Sequence, residues 1–198
     1  MPPSHPPMTL PNIMTLGRLA LIPVFILVFY LPYRWSAIVA AFIFLLAALT
    51  DLLDGYLARR LQQTSRFGAF LDPVADKLIV GAALVMLVDL HANIWITLPA
   101  IVIISREISV SALREWMAEI GKRAKVAVGS LGKIKTVMQM AAIFLLLLEK
   151  PRHLVSGGID GSWLLWLGYA CLYTATILTL WSMWRYLKAA WPELKASE

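Results

Sequence analysis

Four aspartates stand close together in a part of the chain that is otherwise apolar. The sequence contains six aspartates, and four of them fall within a window of 26 residues: Asp51, Asp54, Asp72 and Asp76. A carboxylate at the centre of a membrane helix costs on the order of 2.5–3.5 kcal/mol, so such groups normally face a cavity and a partner. Because four unexplained carboxylates would be a large cost, we interpret them as a site.

The spacing places each pair of aspartates on one face of a helix. Asp51 and Asp54 are three residues apart, Asp72 and Asp76 are four apart, and a helix turns by about 100° per residue. An antiparallel pairing of the two helices could therefore bring all four carboxylates to one pocket. Such a cluster needs counter-charge, and its oxygen ligands suit Mg²⁺ or Mn²⁺, so two divalent ions would neutralise it.

Three small residues accompany the acidic face: Gly55, Ala58 and Gly68. They leave room for a bulky ligand to approach the backbone, and a ligand that also bridges metal ions is typically a phosphate or pyrophosphate. Close packing between helices is the alternative explanation for these small residues.

Each aspartate also has a structural explanation when it is taken singly. Asp72 could be the N-cap of a helix that begins at Pro73, and Asp76 could pair with Lys77 or an arginine. These explanations would have to hold for all four aspartates at once, so we favour the metal site.

The composition indicates that a membrane surrounds the elements that position these residues. Of 198 residues, 60% are hydrophobic and 15% are charged, against roughly 45–50% and 25% in soluble domains. This excludes a water-soluble enzyme. The net charge of +6 favours contact with anionic lipid head groups over nucleic acid. The single cysteine, Cys171, lies in an apolar stretch and is interpreted as a core residue.

We expect an all-α polytopic membrane protein with six transmembrane helices, because a spanning helix needs about 20 apolar residues. The six apolar runs are Ile13–Leu31, Ala37–Ala58, Val74–Leu90, Ile94–Met117, Ile134–Leu148 and Trp163–Leu187. Residues 1–11 contain five prolines and are predicted to form a flexible N-terminal arm. Residues 12–190 would form the membrane domain and 191–198 a C-terminal tail.

Basic residues are distributed unequally between the connections. Nine arginines and lysines lie in the second and fourth connections and at the C-terminus, whereas the other connections contain only Arg34, Lys150 and Arg152. The positive-inside rule therefore predicts that both termini and the acidic site are cytoplasmic. Two cytoplasmic termini require an even number of spans, in agreement with six.

The acidic segment carries a pattern with eight fixed positions. Residues 51–59 and 68–76 read DxxDGxxAR…GxxxDxxxD, which resembles the signature of the CDP-alcohol phosphatidyltransferase family. Residues 11–18 resemble the PNxxTxxR element of the same family. Three further stretches resemble the branch of the family that uses glycerol 3-phosphate: Arg66–Lys77, Ser105–Glu119 and Gly132–Thr136.

This resemblance implies a six-helix enzyme of the bacterial cytoplasmic membrane, commonly a homodimer. It would transfer the phosphatidyl group from CDP-diacylglycerol to glycerol 3-phosphate and release CMP. The four aspartates would hold two divalent ions, and Asp76 would also be the general base for the acceptor hydroxyl. The resemblance further implies a cytidine nucleotide site made of Thr15, Arg18, Gly55, Ala58, Arg59 and Gly68.

An acceptor that carries a phosphate needs cations beside the aspartates. The candidates are Arg106, Arg114, Lys133 and Lys135. Arg106 is the most informative because it lies in an apolar run, although it could instead pair with Glu107 or an aspartate. No cysteine and no Ser–His pair lies near the aspartates in sequence, so we expect direct attack by the acceptor without a covalent intermediate.

Two alternatives remain open from the sequence. The same family includes members with another acceptor, such as inositol phosphate or phosphatidylglycerol, and the cations do not separate these from glycerol 3-phosphate. A divalent-cation transporter is the alternative from another class, because intramembrane carboxylates also mark ion pathways. The clustering of the acidic residues at one end and the lack of an inverted repeat argue against a transporter.

Overall fold

A computed structural model describes residues 10–33, 35–61, 66–121, 130–149 and 162–196. These residues form six helices and no strand, which confirms the prediction of an all-α protein. The helices are α1 (Leu10–Tyr30), α2 (Ser36–Leu61), α3 (Arg66–His91), α4 (Ile94–Glu119), α5 (Ser130–Leu148) and α6 (Ser162–Ala196).

Helix α3 begins well before the apolar run that predicted it. It starts at Arg66, so Asp72 and Pro73 lie inside the helix. The interpretation of Asp72 as the N-cap of a helix is therefore wrong. Proline inside a helix removes one backbone hydrogen bond, but α3 packs against four other helices, α1, α2, α4 and α5, which support its backbone.

The two terminal segments also differ from the prediction in their boundaries. Helix α1 begins at Leu10, so it includes the last two residues of the segment predicted to be a flexible arm. Helix α6 continues through Pro192 to Ala196, so most of the segment assigned to a tail is helical. Residues 1–9 lie outside the described part of the chain.

Local sequence sets the two ends of α4. Asn93 is the N-cap, and its Oδ1 accepts a hydrogen bond from the Ile96 backbone N–H (3.0 Å). At the other end Gly121 follows the helix with a φ of +73°. A left-handed glycine in this position is the usual way to stop a helix, because it has no Cβ to clash.

The helices alternate in direction across the bundle. Three contacts join helix termini at one end: Tyr30 Oη to Asp89 Oδ2 (3.0 Å), His91 Nε2 with the Leu146 carbonyl (3.3 Å), and Asn93 Nδ2 to Tyr169 Oη (3.1 Å). Helices α1, α3 and α5 therefore end where α4 and α6 begin. The opposite end contains the first turns of α1, α3 and α5 and the last turns of α4 and α6, and we call it the site end.

One buried apolar core joins all six helices. It includes Phe25, Phe44, Leu87, Ile103, Leu146 and Leu172, and it also contains Cys171, as expected from the sequence. A smaller core at the site end joins α4 to α6 and consists of Val110, Met117, Tyr186 and Ala190. This second core holds α4 against α6, and both helices line the larger cavity described below.

The outer surface of the bundle is apolar, as a lipid-facing surface must be. Leu27, Trp166 and Ile177 are each about two thirds exposed or more. Among the described residues, three helical segments are long and apolar enough to cross a membrane: Ile13–Tyr30, Ile94–Glu119 and Trp163–Pro192. Shorter apolar stretches occur at Ser36–Thr50 and Ile134–Leu148. The chain is a membrane protein, and the count of six spans stays a prediction.

Candidate active site

The acidic part of the site lies in the first half of α3. Asp72 and Asp76 are one helical turn apart and line the same cavity of about 320 Å³. Thr15 of α1 is fully buried and donates a hydrogen bond from its Oγ1 to Asp72 Oδ1 (2.6 Å). This contact brings the N-terminal sequence element and the acidic motif into one site.

Helix α2 packs against α3, as a shared acidic pocket requires. Asp51 and Asp54 lie in α2, but their side chains are outside the described part of the structure. Within the part that is described, no three side chains of the metal-ligating types come together. The convergence of four carboxylates therefore stays a prediction.

A larger cavity of about 570 Å³ adjoins the acidic one and lies between α3, α4, α5 and α6. The two cavities share five lining residues: Asp76, Lys77, Arg106, Glu107 and Arg114. Lys135 of α5 also lines the larger cavity. The structure thus brings three of the four predicted acceptor cations together beside Asp76; the side chain of the fourth, Lys133, is outside the described residues.

A carboxylate lies among these cations. Glu107 Oε1 forms an ion pair with Arg106 Nη1 (3.2 Å) and another with Lys135 Nζ. The pairing of Arg106 with Glu107, expected as an alternative to phosphate binding, is confirmed. It does not close the cavity to an anion, because Arg106, Arg114 and Lys135 leave the wall with more positive than negative charge.

Helix α6 orients the two arginines. Arg106 Nη2 donates to Ser182 Oγ (2.7 Å), and Arg114 Nη2 donates to Tyr186 Oη (2.6 Å). The Tyr186 ring also faces both guanidinium groups, with its centroid 4.9 Å from the Arg114 Cζ and 5.7 Å from that of Arg106. Such cation–π contacts are strongest where water is excluded.

Three buried polar atoms at the larger cavity have no hydrogen-bond partner within the described ranges: Arg106 Nε, Arg114 Nε and Gln139 Oε1. Buried polar groups in folded proteins are nearly always hydrogen-bonded. Two of these atoms belong to the guanidinium groups of arginines that line the cavity, and arginines bind phosphate well because its oxygens accept from several donors at once.

The comparison with known proteins agrees with this arrangement. The family model of CDP-alcohol phosphatidyltransferase matches residues 8–184, which is most of the chain. The chain belongs to the CDP-alcohol phosphatidyltransferase family. This is a family of membrane proteins, in agreement with the apolar exterior.

Curated relatives of this phosphatidyltransferase are similar over nearly their whole length. A protein of Pectobacterium atrosepticum is 55% identical over 91% of this chain and 94% of its own. A protein of Pseudomonas fluorescens is 57% identical over 95% of this chain and 93% of its own. One from Yersinia pestis is 51% identical over 94% and 97%. All three are named CDP-diacylglycerol–glycerol-3-phosphate 3-phosphatidyltransferase.

Of the six predicted nucleotide-binding residues of this phosphatidyltransferase, the structure describes the surroundings of three. Thr15, Arg18 and Gly68 are all buried, and Arg18 lies one turn beyond Thr15 on α1. The side chains of Gly55, Ala58 and Arg59 in α2 are outside the described part. The nucleotide site therefore stays a prediction that the position of Thr15 supports.

The contribution of α6 to the phosphatidyltransferase site was missed in the sequence. Ser182, Arg185 and Tyr186 all line the larger cavity, whereas basic and aromatic residues at the end of an apolar run are usually interpreted as interface anchors. A signal was present, because these residues are spaced i, i+3 and i+4. Three polar groups with that spacing share one face of an otherwise apolar helix.

Proposed function

We propose that this chain transfers the phosphatidyl group of CDP-diacylglycerol to glycerol 3-phosphate, giving phosphatidylglycerol phosphate and CMP. One observation carries the proposal: Asp76 lines both cavities, so the acidic face of α3 adjoins a pocket with three inward cations. A diphosphate with its metal ions fits the acidic side, and an acceptor with its own phosphate fits the cationic side. The names of the relatives supply the two substrates.

The reaction needs one displacement at phosphorus. The terminal hydroxyl oxygen of the acceptor forms a bond to the phosphorus that bears the diacylglycerol. Its proton passes to a carboxylate oxygen of Asp76, which acts as general base. The bond from that phosphorus to the bridging oxygen of the diphosphate breaks, and CMP leaves with this oxygen and its electron pair. No covalent enzyme intermediate is required.

The acidic residues suit divalent cations. The carboxylates of Asp72 and Asp76 line one cavity one turn apart, and carboxylate oxygens are the ligands that Mg²⁺ and Mn²⁺ prefer. With Asp51 and Asp54 from α2 they would hold two ions. Bound there, the ions would neutralise the diphosphate and stabilise the leaving phosphate. Thr15 keeps Asp72 oriented through its hydrogen bond.

The remaining residues bind and orient the two substrates. Arg106, Arg114 and Lys135 would bind the acceptor phosphate, together with Lys133. The cytidine nucleotide would lie beside the small residues of the signature, with contributions from Thr15, Arg18, Gly55, Ala58, Arg59 and Gly68. The excess of basic over acidic side chains that line the larger cavity supports this placement of the phosphate.

The site end of the bundle is proposed to face the cytoplasm, where glycerol 3-phosphate is dissolved. The nine basic residues of the connections and C-terminus on that side support this orientation in the bacterial cytoplasmic membrane. Six spans would place both chain termini on the same side. The homodimer implied by the family resemblance is part of the proposal.

The test is an acceptor profile with purified protein. With CDP-diacylglycerol and Mg²⁺ or Mn²⁺, we expect CMP release that depends on glycerol 3-phosphate and stops when the metal is chelated. Inositol phosphate and phosphatidylglycerol serve as competing acceptors. Equal release with inositol phosphate, or no release with glycerol 3-phosphate, would contradict the assignment.

A further inference from the structure

One polar side chain in the larger cavity is not explained by any contact described so far. Gln139 of α5 is 4% exposed and lines this cavity. Its Oε1 is buried and has no hydrogen-bond partner among the residues that the structure describes. An unsatisfied amide oxygen is unfavourable, and a turn of the amide would let a ligand in the cavity become its partner.

Buried apolar residues line the cavity at the level of Gln139. Glu107 of α4 contacts Lys135 of α5, and these two residues mark one level of the cavity. One turn further from the site end, the cavity is lined by Ile103 on α4 and Gln139 on α5. Ile103 is fully buried. The amide is therefore a polar group set just beyond the cations, where a hydrogen bond is strong because water is scarce.

We propose that the Gln139 amide hydrogen-bonds the acceptor hydroxyl that does not react, and so selects a polyol phosphate over a simple alkanol phosphate. The inference rests on the proposed function. Glycerol 3-phosphate carries a phosphate, a terminal hydroxyl that attacks and a second hydroxyl on the central carbon. The phosphate would bind Arg106 and Lys135, and the terminal hydroxyl would lie at Asp76. Gln139 is then the proposed hydrogen-bond partner of the central hydroxyl.

The test compares two acceptors that differ by this one hydroxyl, glycerol 3-phosphate and 3-hydroxypropyl phosphate. Release of CMP by the full-length protein gives kcat/KM for each acceptor. We expect the unmodified protein to prefer glycerol 3-phosphate by about tenfold or more, the effect of one buried hydrogen bond. In Gln139→Met the preference should fall towards one, through loss of activity on glycerol 3-phosphate only.

Controls separate this role from a structural one. Met140→Leu changes the next residue of the cavity wall without removing a polar group, and it should keep the preference. Gln139→Ala avoids any misfit of a longer side chain and should lose the preference as Gln139→Met does. An equal loss on both acceptors, or an unchanged preference, would overturn the role of Gln139. No CMP release from the unmodified protein with glycerol 3-phosphate would instead contradict the proposed function.

Discussion

Glu107 offsets the free-energy cost of the buried positive charges before a substrate binds. It pairs with Arg106 and Lys135, whose side chains are each 7% exposed. A charge so far from water costs several kcal/mol unless it is paired. The acceptor phosphate would approach the same cations, so Glu107 and the ligand share them.

We therefore predict that Glu107→Gln lowers the free energy of unfolding by about 3 kcal/mol, the lower end for breaking a buried ion pair. The lower end applies because the Glu107 side chain is itself 28% exposed. Thermal unfolding in detergent measures the change. Added inorganic phosphate should raise the Tm of the variant more than that of the unmodified protein, because it supplies the missing negative charge.

The matched control is Glu115→Gln, on an exposed position of the same helix. It should leave the Tm and its phosphate response unchanged. A Glu107→Gln protein as stable as the unmodified one, with the same response to phosphate, would show that the pair does not stabilise the site.

Asp76 has a different expected phenotype, since it is proposed to move a proton. Asp76→Asn should lower turnover by at least 10²-fold, the typical contribution of a general base, while nucleotide binding is largely kept. CMP release and binding of CDP-diacylglycerol measure the two effects. Asp89→Asn is the control, because Asp89 lies on the same helix at the opposite end, hydrogen-bonded to Tyr30. Normal turnover in Asp76→Asn would reject the assignment.

At the scale of helices, the sequence predicts existence and type better than boundaries. The apolar run predicted for α4 begins at the observed first residue, Ile94, which directly follows the N-cap Asn93. The run for α3 misses the first two turns, Arg66 to Pro73. Hydropathy reports where lipid contacts a helix, whereas the backbone stays helical wherever neighbouring helices support it. Asp72 lies in that extension, whereas Asp76 lies inside the predicted run.

Some residues of the site could be predicted from the sequence and others could not. Asp76, Arg106 and Lys135 could be predicted because charges in apolar segments are expensive and therefore conspicuous. The pairing of Glu107 with Arg106 is expected from the sequence only as an alternative to phosphate binding, and its pairing with Lys135 is not expected. The spacing of Tyr186 from Ser182 and Arg185 marks a polar face of α6 in the sequence, but the contact of Tyr186 with the arginines depends on how α6 packs against α4 in the small core at the site end.

The packing of α5 against α6 depends on a glycine. A Cβ added at Gly168 would lie 2.8 Å from Leu146 Cδ2, and Leu146 is fully buried. We predict that Gly168→Ala lowers the free energy of unfolding by about 1–3 kcal/mol through overpacking. Thermal unfolding measures this effect.

A double-mutant cycle identifies the cause. In a Leu146→Ala background the added methyl finds space, so Gly168→Ala should cost far less there. Gly17→Ala is the control, because a Cβ at Gly17 meets nothing within 4 Å. Equal effects of Gly168→Ala in both backgrounds would contradict the proposed contact.

For the whole molecule, the alternating helices and the basic connections predict one orientation in the membrane. Cys171 is the single cysteine and is buried, so Cys171→Ala gives a background without thiols. In that background Tyr33→Cys should react with a membrane-impermeant maleimide in intact cells. Lys195→Cys should react only after the cells are permeabilised. Both positions are exposed. Labelling of the two positions in the reverse order would overturn the topology.

Helix α6 has 35 residues and is therefore about 52 Å long, against roughly 30 Å for the hydrocarbon layer. About 20 residues counted from Trp163 end near Ser182, which is where its polar cavity-lining residues begin. The helix would thus extend beyond the hydrocarbon layer, and the extending part lines the cavity. At this part of α6, glycerol 3-phosphate could bind from the water while the acyl chains of CDP-diacylglycerol stay in the lipid.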